Sequence, residues 1–277
     1  MKKIILMASV ILLIVSCQKQ KTPAEIGNSK TTNSSTLPNN LEKDITNITN
    51  NYFATLEPHT GAAKPPKWIG VVLADLAGAY MGATMGGSMG GDVGAASGGI
   101  AVGALASIVV GKLDGHIPNG GGTVLTANIN NPYDFTGRIH YDIITRVYAN
   151  PNLIYVNNQL DCNLYRDLAF NRMRENNFNA DQYKTLFSTS FYCNNTNPLG
   201  NQSIIDFINA STIADSTEKS ILVSYSTALM NTTQSSGFPA YSIQIENSIV
   251  SSSLPLQSKT LLLTYMSTAR HGVAFWN

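Results

Sequence analysis

WIGVVLADLAGAYMGATMGGSMGGDVGAASGGIAVGALASIVVG, residues 68–111, decides how this chain is read. Glycine recurs every fourth residue at Gly78, Gly82, Gly86, Gly90, Gly94 and Gly98. A second row of small residues, Ala79, Ala83, Gly87, Gly91, Ala95, Gly99, Gly103 and Ser107, runs beside it. Residues four apart share one face of a helix, so the two rows predict a strip almost bare of side chains, across which backbones can approach closely. The run is too long for one ordinary helix. Gly90-Gly91-Asp92 carries the turn signal, and the stretch is predicted to be a helical hairpin turning there. Each glycine costs a helix up to about 1 kcal/mol relative to alanine, so tight packing or a bilayer must offset the loss.

The hairpin has some features of a membrane segment. Residues 93–111 hold no charge and are long enough to cross a bilayer. The first arm carries Asp75, which is costly near a bilayer centre. Lys67, Trp68 and Lys112 stand where interfacial anchors are expected. A nucleotide loop is excluded, because no strand precedes the glycines and no Lys-Ser or Lys-Thr closes them.

Working outward toward the N-terminus, Lys2 and Lys3 precede an apolar run over residues 4–15 broken only by Ser9. This is the layout of a secretory signal, too short for a comfortable span. The run ends in Ile14-Val15-Ser16-Cys17, which resembles the lipobox of bacterial lipoproteins. The resemblance implies removal of residues 1–16, lipidation of Cys17 and anchoring of the chain to a membrane through that lipid. Gln18, where an Asp would resemble an inner-membrane retention signal, points to the outer membrane. Residues 17–40 are polar, without apolar period, and are predicted to be a disordered tether. Residues 41–66 are predicted to hold a short helix, with Leu41, Ile45, Ile48 and Tyr52 at helical spacing, followed by a proline-rich spacer.

Of the 18 basic residues, Lys2 and Lys3 leave with the signal, against 17 acidic residues that stay, so the mature chain is near neutral. No basic field for nucleic acid is present. With Cys17 lipidated, Cys162 and Cys193 form an even pair in an oxidising compartment, a candidate disulfide. No cysteine or histidine has metal-ligand spacing, so neither a metal nor a cofactor is expected.

Beyond the hairpin, residues 113–130 read as a glycine-rich loop and residues 131–277 as an α-helical domain. Asn131-Pro132-Tyr133-Asp134 looks like a helix start, with Asn131 as N-cap. A second amphipathic helix over residues 160–178 is predicted to turn Leu164, Leu168 and Met173 inward. Residues 181–192 are a third candidate. Further helices are predicted over residues 203–210, from a cap at Asp215 or Ser216, over residues 236–253, and over residues 256–269 behind Pro255. The fold class is therefore mainly α: a glycine-zipper hairpin plus a small C-terminal bundle. His140, between Arg138 and Asp142, reads as a hydrogen-bonded structural histidine.

The leader, the zipper, Asn131-Pro132-Tyr133-Asp134 with Gly137 and His140, and Met266-Ser267 with Ala269-Arg270 before Trp276 together resemble a group of uncharacterised bacterial lipoproteins. The zipper alone is similar to modules of outer-membrane lipoproteins and of some membrane-active bacteriocins. No catalytic motif is found. The expectation is a non-enzymatic cell-envelope lipoprotein whose zipper pairs helices within the protein, with a second copy, or with a membrane protein. The alternative is a toxin-like protein whose hairpin enters a bilayer.

Overall fold

The computed structural model describes residues 38–56, 66–116, 118, 125–185, 187, 192, 194, 196–232 and 234–277. Among them the chain is mainly helical: α1 (Pro38–Thr55), α2 (Lys67–Leu113), α3 (Asp134–Ala149), α4 (Cys162–Glu175), α5 (Ile204–Ala210), α6 (Ser216–Met230), α7 (Phe238–Ser251) and α8 (Leu256–Trp276). A two-residue antiparallel ladder, β1 (Tyr155–Val156) with β2 (Gln159–Leu160), sits before α4. Asn157 and Asn158, both at positive φ, make its turn.

α2 is the hairpin. Helical geometry breaks at Gly90 (φ −143°, ψ 19°) and Gly91 (φ 57°, ψ −144°). The second of these lies in a region that only glycine enters without strain. The two arms then run back along each other. A Cβ on Gly82 would collide with the Gly98 carbonyl, and one on Gly86 with the Gly94 carbonyl. A Cβ on Gly78 would lie 2.6 Å from the Val102 carbonyl oxygen and 2.9 Å from the Gly103 Cα. Each arm therefore presents backbone to backbone.

The second row of small residues is shared: Gly103 faces Asp75 and Ala79 of the opposite arm, while Gly99, and Gly111 beyond the row, face α8. A Cβ on Gly99 would press on Thr264 at 2.6 Å, and one on Gly111 would meet Trp276 at 2.7 Å. Side chains are absent from the hairpin where α8 supplies them, and α8 is buried from Thr260 to Trp276. α3 lies over both, with Gly137 in contact with Ser267 and His271 of α8. α1 packs on α6 and α7 through Thr49, Tyr52 and Tyr241. Hairpin and later helices thus share one core, and the chain from Thr36 to Asn277 is a single unit. Leu76, Ile100, Leu105, Leu262, Met266, Ile143 and Val273 are all fully buried in it.

Four expected elements differ. α3 begins at Asp134, three residues after the expected cap. Asn131 still accepts the Tyr133 N–H through Oδ1 (2.8 Å), but as an Asx turn, because its amide is drawn inward to Glu246. In α4 Leu164 is exposed while Tyr165, Ala169, Phe170 and Met173 are buried. The Tyr165 hydroxyl donates to the Ala101 carbonyl of the hairpin and so sets the inward face. α8 does not stop at Ala269. Gly272 stands mid-helix against Asp75, and the helix runs on to Trp276. Over residues 181–192 the described residues hold a 3-10 turn, Asp181–Tyr183, and a helical Tyr192; the rest of the expected helix lies largely outside the described residues. The cap at Asp215 is present, as a reciprocal capping box with Glu218, and Ser203 caps α5 from the position just before it.

Candidate functional site

The chemistry-bearing side chains gather where α3 and α8 cross the hairpin. Asp75, on the first arm, and His140, on α3, are both fully buried, with His140 Nε2 3.1 Å from Asp75 Oδ1. Burial pushes the Asp75 carboxyl above its usual range. His140 acts against that, as do the nearby Ser107 hydroxyl and Trp276 indole. Neither of the last two closes a hydrogen bond on Oδ2. Ser107 donates instead to the Ala104 carbonyl (3.2 Å), and the Trp276 indole N–H has no partner among the described residues. Asp75 Oδ2, His140 Nδ1 and the Tyr148 hydroxyl are also unpartnered there. Gly272 is required at this point, because any Cβ would lie 2.5 Å from Asp75 Oδ2.

One turn away lies a charged network built on Arg270, which is 1% exposed. Its Nε donates to Glu246 Oε1 (2.9 Å) and its Nη2 to Glu246 Oε2 (3.1 Å). The same guanidinium reaches the Asp134 carboxylate and the Thr126 carbonyl. Glu246 also accepts from Asn131 Nδ2 (2.8 Å), Asn128 Nδ2 (3.0 Å) and Ser242 Oγ (2.7 Å). Ser242 is in turn bonded to the Tyr225 hydroxyl at 2.7 Å. Burial alone would raise Asp134, yet hydrogen bonds from His271 and Arg270, with the Arg270 charge, bring its carboxyl to about 2. His271 is lowered by burial and by the Arg270 charge, against the pull of Asp134. Arg270 is held firmly charged, because Glu246 and Asp134 outweigh its burial. A buried pair is stable only when its remaining donors and acceptors are satisfied, and here one cation and two carboxylates are nearly saturated.

An Asp–His pair is the orienting half of a general-base pair. Here His140 Nδ1 has no hydrogen-bond partner among the described residues. Grooves among the described residues lie elsewhere, for example one of ≈ 450 Å³ beside Tyr80, Met85 and Phe207 and one of ≈ 520 Å³ beside Lys67, Leu73 and Met230. Among the described residues no group of three His, Cys, Asp or Glu could hold a metal ion. No family model, curated protein or solved structure matches this chain. The reading of the site therefore rests on its geometry, which is that of a polar clamp closing α8 and α3 onto the hairpin.

The residues singled out from sequence fall in three places. Gly78, Gly82, Gly86, Gly94 and Gly98 line the arm-to-arm contact, whereas Gly90 sits at the turn against the Tyr183 ring. Cys162 opens α4, is buried and is disulfide-bonded; Cys193, its expected partner, lies outside the described residues, as does the lipidation site Cys17. His140 is hydrogen-bonded, but to Asp75 and not to a neighbour on its own helix. Sequence reasoning missed the Arg270 network. Its signal was present: Glu246 lies between Ile245 and Ile249 of α7 and Arg270 between Met266 and Val273 of α8, among the buried residues of each helix, and a buried charge implies a buried partner.

Proposed function

We propose that this protein is a cell-envelope lipoprotein without an enzymatic role. Its glycine zipper serves as an internal scaffold, and Cys17 carries the lipid that holds the domain at a membrane. The observation that carries the reading is the closure of the small-residue strip of α2 within the protein, on the opposite arm along most of its length and on α8 at Gly99. A zipper spent in this way leaves little glycine face to recruit a membrane helix. The candidate catalytic groups are sealed in the same clamp. Lipidation is tested by acyl labelling: wild-type chain takes up label, Cys17→Ser does not and leaves the membrane fraction. Unchanged labelling of the variant would overturn the assignment.

One observation favours the second reading, a hairpin that enters a target bilayer. α2 contains a window of mean hydropathy 2.0 and is long enough to span, although 83% of that window is buried. Insertion would require the arms to leave α8 and expose Asp75 to lipid. Release of a trapped dye from vesicles on adding the full chain would support this reading; intact vesicles would count against it.

A further inference from the structure

The hairpin ends in a tip that Tyr183 and Thr260 touch at Gly90 and Asp92 but that leaves several large apolar side chains exposed. Met85 and Met89 of the first arm are 38% and 43% exposed, and Val93 of the second is 37% exposed. Two further large apolar residues stand beside them. Ile213 (59% exposed) shares a groove with Gly87 and Ala95, and so do Pro255 and Gln257, which flank Leu256 (60% exposed). Half of the exposed large hydrophobic side chains of the described residues are thereby gathered at one end of the bundle. The acids there are engaged in the fold. Asp92 accepts from Thr260 (3.0 Å), and Asp215 caps α6.

The chain enters the fold at this same end. Thr49 of α1 bonds to Ser224 of α6, and Tyr52 to Thr232 beyond its C-terminus. α1 therefore runs parallel to α6, and its start at Pro38 lies toward Ser216 and Ile213. Tyr52 also meets Phe238 and Tyr241 at the start of α7. Pro38 accordingly lies toward the far end of α7, which leads through Pro255 into Leu256. Both relations bring Pro38, the first residue of α1, toward the hairpin tip. Only 20 residues separate Cys17 from Pro38, a span of at most about 70 Å when fully extended.

We propose that the tip formed by Met85, Met89, Val93, Ile213 and Leu256 rests on the lipid bilayer surface to which the N-terminus is attached. The assignment of a lipid surface rests on the lipoprotein reading above. Methionine suits such a contact, since its unbranched, polarisable side chain adapts to a disordered acyl boundary. The contact is apolar and owes little to lipid charge, so salt does not disrupt it. Its depth is that of an interfacial helix, about 5–10 Å into the headgroup boundary, with the zipper still closed.

The test uses full chain reconstituted into vesicles of phosphatidylethanolamine and phosphatidylglycerol. Ser88 is exposed between the two methionines and is replaced by a spin-labelled cysteine. Asp114, exposed at the opposite end of the hairpin, is labelled in a control. Relaxation by oxygen against a water-soluble nickel chelate reports depth. The label at position 88 is expected at the interface, at low and high salt alike, and the label at 114 in water. Met85→Ser with Met89→Ser moves the label at 88 into water, with an unchanged melting temperature showing an intact fold. An aqueous label at 88 in the unsubstituted tip would overturn the proposal. So would a label near the bilayer centre, which would mean insertion of the hairpin. Acyl labelling of the same sample distinguishes the two readings: a chain without acyl label but with an interfacial label at 88 would sink the lipid anchor and keep the tip contact.

Discussion

A single methyl group at Gly82 should separate the two arms of the hairpin. In Gly82→Ala the new Cβ meets the carbonyl of Gly98, and the Gly99 nitrogen lies 3.0 Å away. All of these are backbone atoms, so no rotamer change relieves the clash. Overpacking in a rigid core costs about 1–3 kcal/mol, and this site belongs at the upper end because only movement of a whole arm makes room. Replacing glycine by alanine inside a helix returns up to about 1 kcal/mol. The net expectation is a loss of about 2 kcal/mol, or a melting temperature lower by roughly 4–8 °C for a domain of this size. Two controls share the propensity gain without the clash. At Gly70 a Cβ has no neighbour within 4 Å, and at Gly87 it touches only Ala95 (3.5 Å) and Gln257 (3.8 Å). Gly70→Ala and Gly87→Ala should therefore match or exceed wild-type stability. Thermal unfolding followed by circular dichroism on the three variants is the assay. If Gly82→Ala is as stable as Gly70→Ala, the arms do not meet through their glycine faces and the account of the zipper is wrong.

Further outcomes follow from the clamp and the turn. Arg270→Ala leaves Glu246 and Asp134 buried without their cation and should destabilise the fold by about 3–5 kcal/mol, whereas Arg270→Met together with Glu246→Gln should recover a large part of the loss; equal stabilities in chemical denaturation would contradict the network. Stability should fall as pH drops below 6.5, because His271 is held below that value when folded and binds its proton more readily unfolded. A second decline should come between 3.8 and about 2, where Asp134 is ionised only in the folded state. Asp75 works in the opposite sense: its carboxyl is raised, so its own contribution improves as pH falls through the folded value. Melting curves across pH check all three, and Asp134→Asn should remove the lower step. Gly91→Ala forces a side chain to positive φ and should cost about 1–3 kcal/mol although open space surrounds the position; a neutral result would mean that the turn adopts another shape.

The local elements were legible in the residues because each has a short-range cause. Gly90-Gly91 marks the turn, since a reversal there needs a conformation closed to other residues. Asp215 with Glu218 three positions on marks the start of α6, and Ser203 that of α5. The start of α3 and the end of α8 were misplaced for long-range reasons. Asn131 is pulled toward Glu246, and Gly272 serves a contact with Asp75 that no neighbour in sequence reveals. The inward face of α4 was mistaken because Tyr165 outweighs Leu164 once the Ala101 carbonyl is there to accept its hydroxyl.

By itself the sequence determined that residues 68–111 form two helical arms with bare faces, for helical period and glycine spacing are properties of a segment. It could not determine what those faces meet. Bilayer, partner or own core all satisfy the same spacing, since close approach needs only an absence of side chains. The tertiary structure decided it by placing the Gly82 and Gly98 backbones together and setting α8 against Gly99 and Gly111. It also brought Asp75 to His140, and Arg270 to Asp134 and Glu246, across separations that no periodicity spans. Buried charges need partners, and which partner each one finds is settled only when the helices are packed.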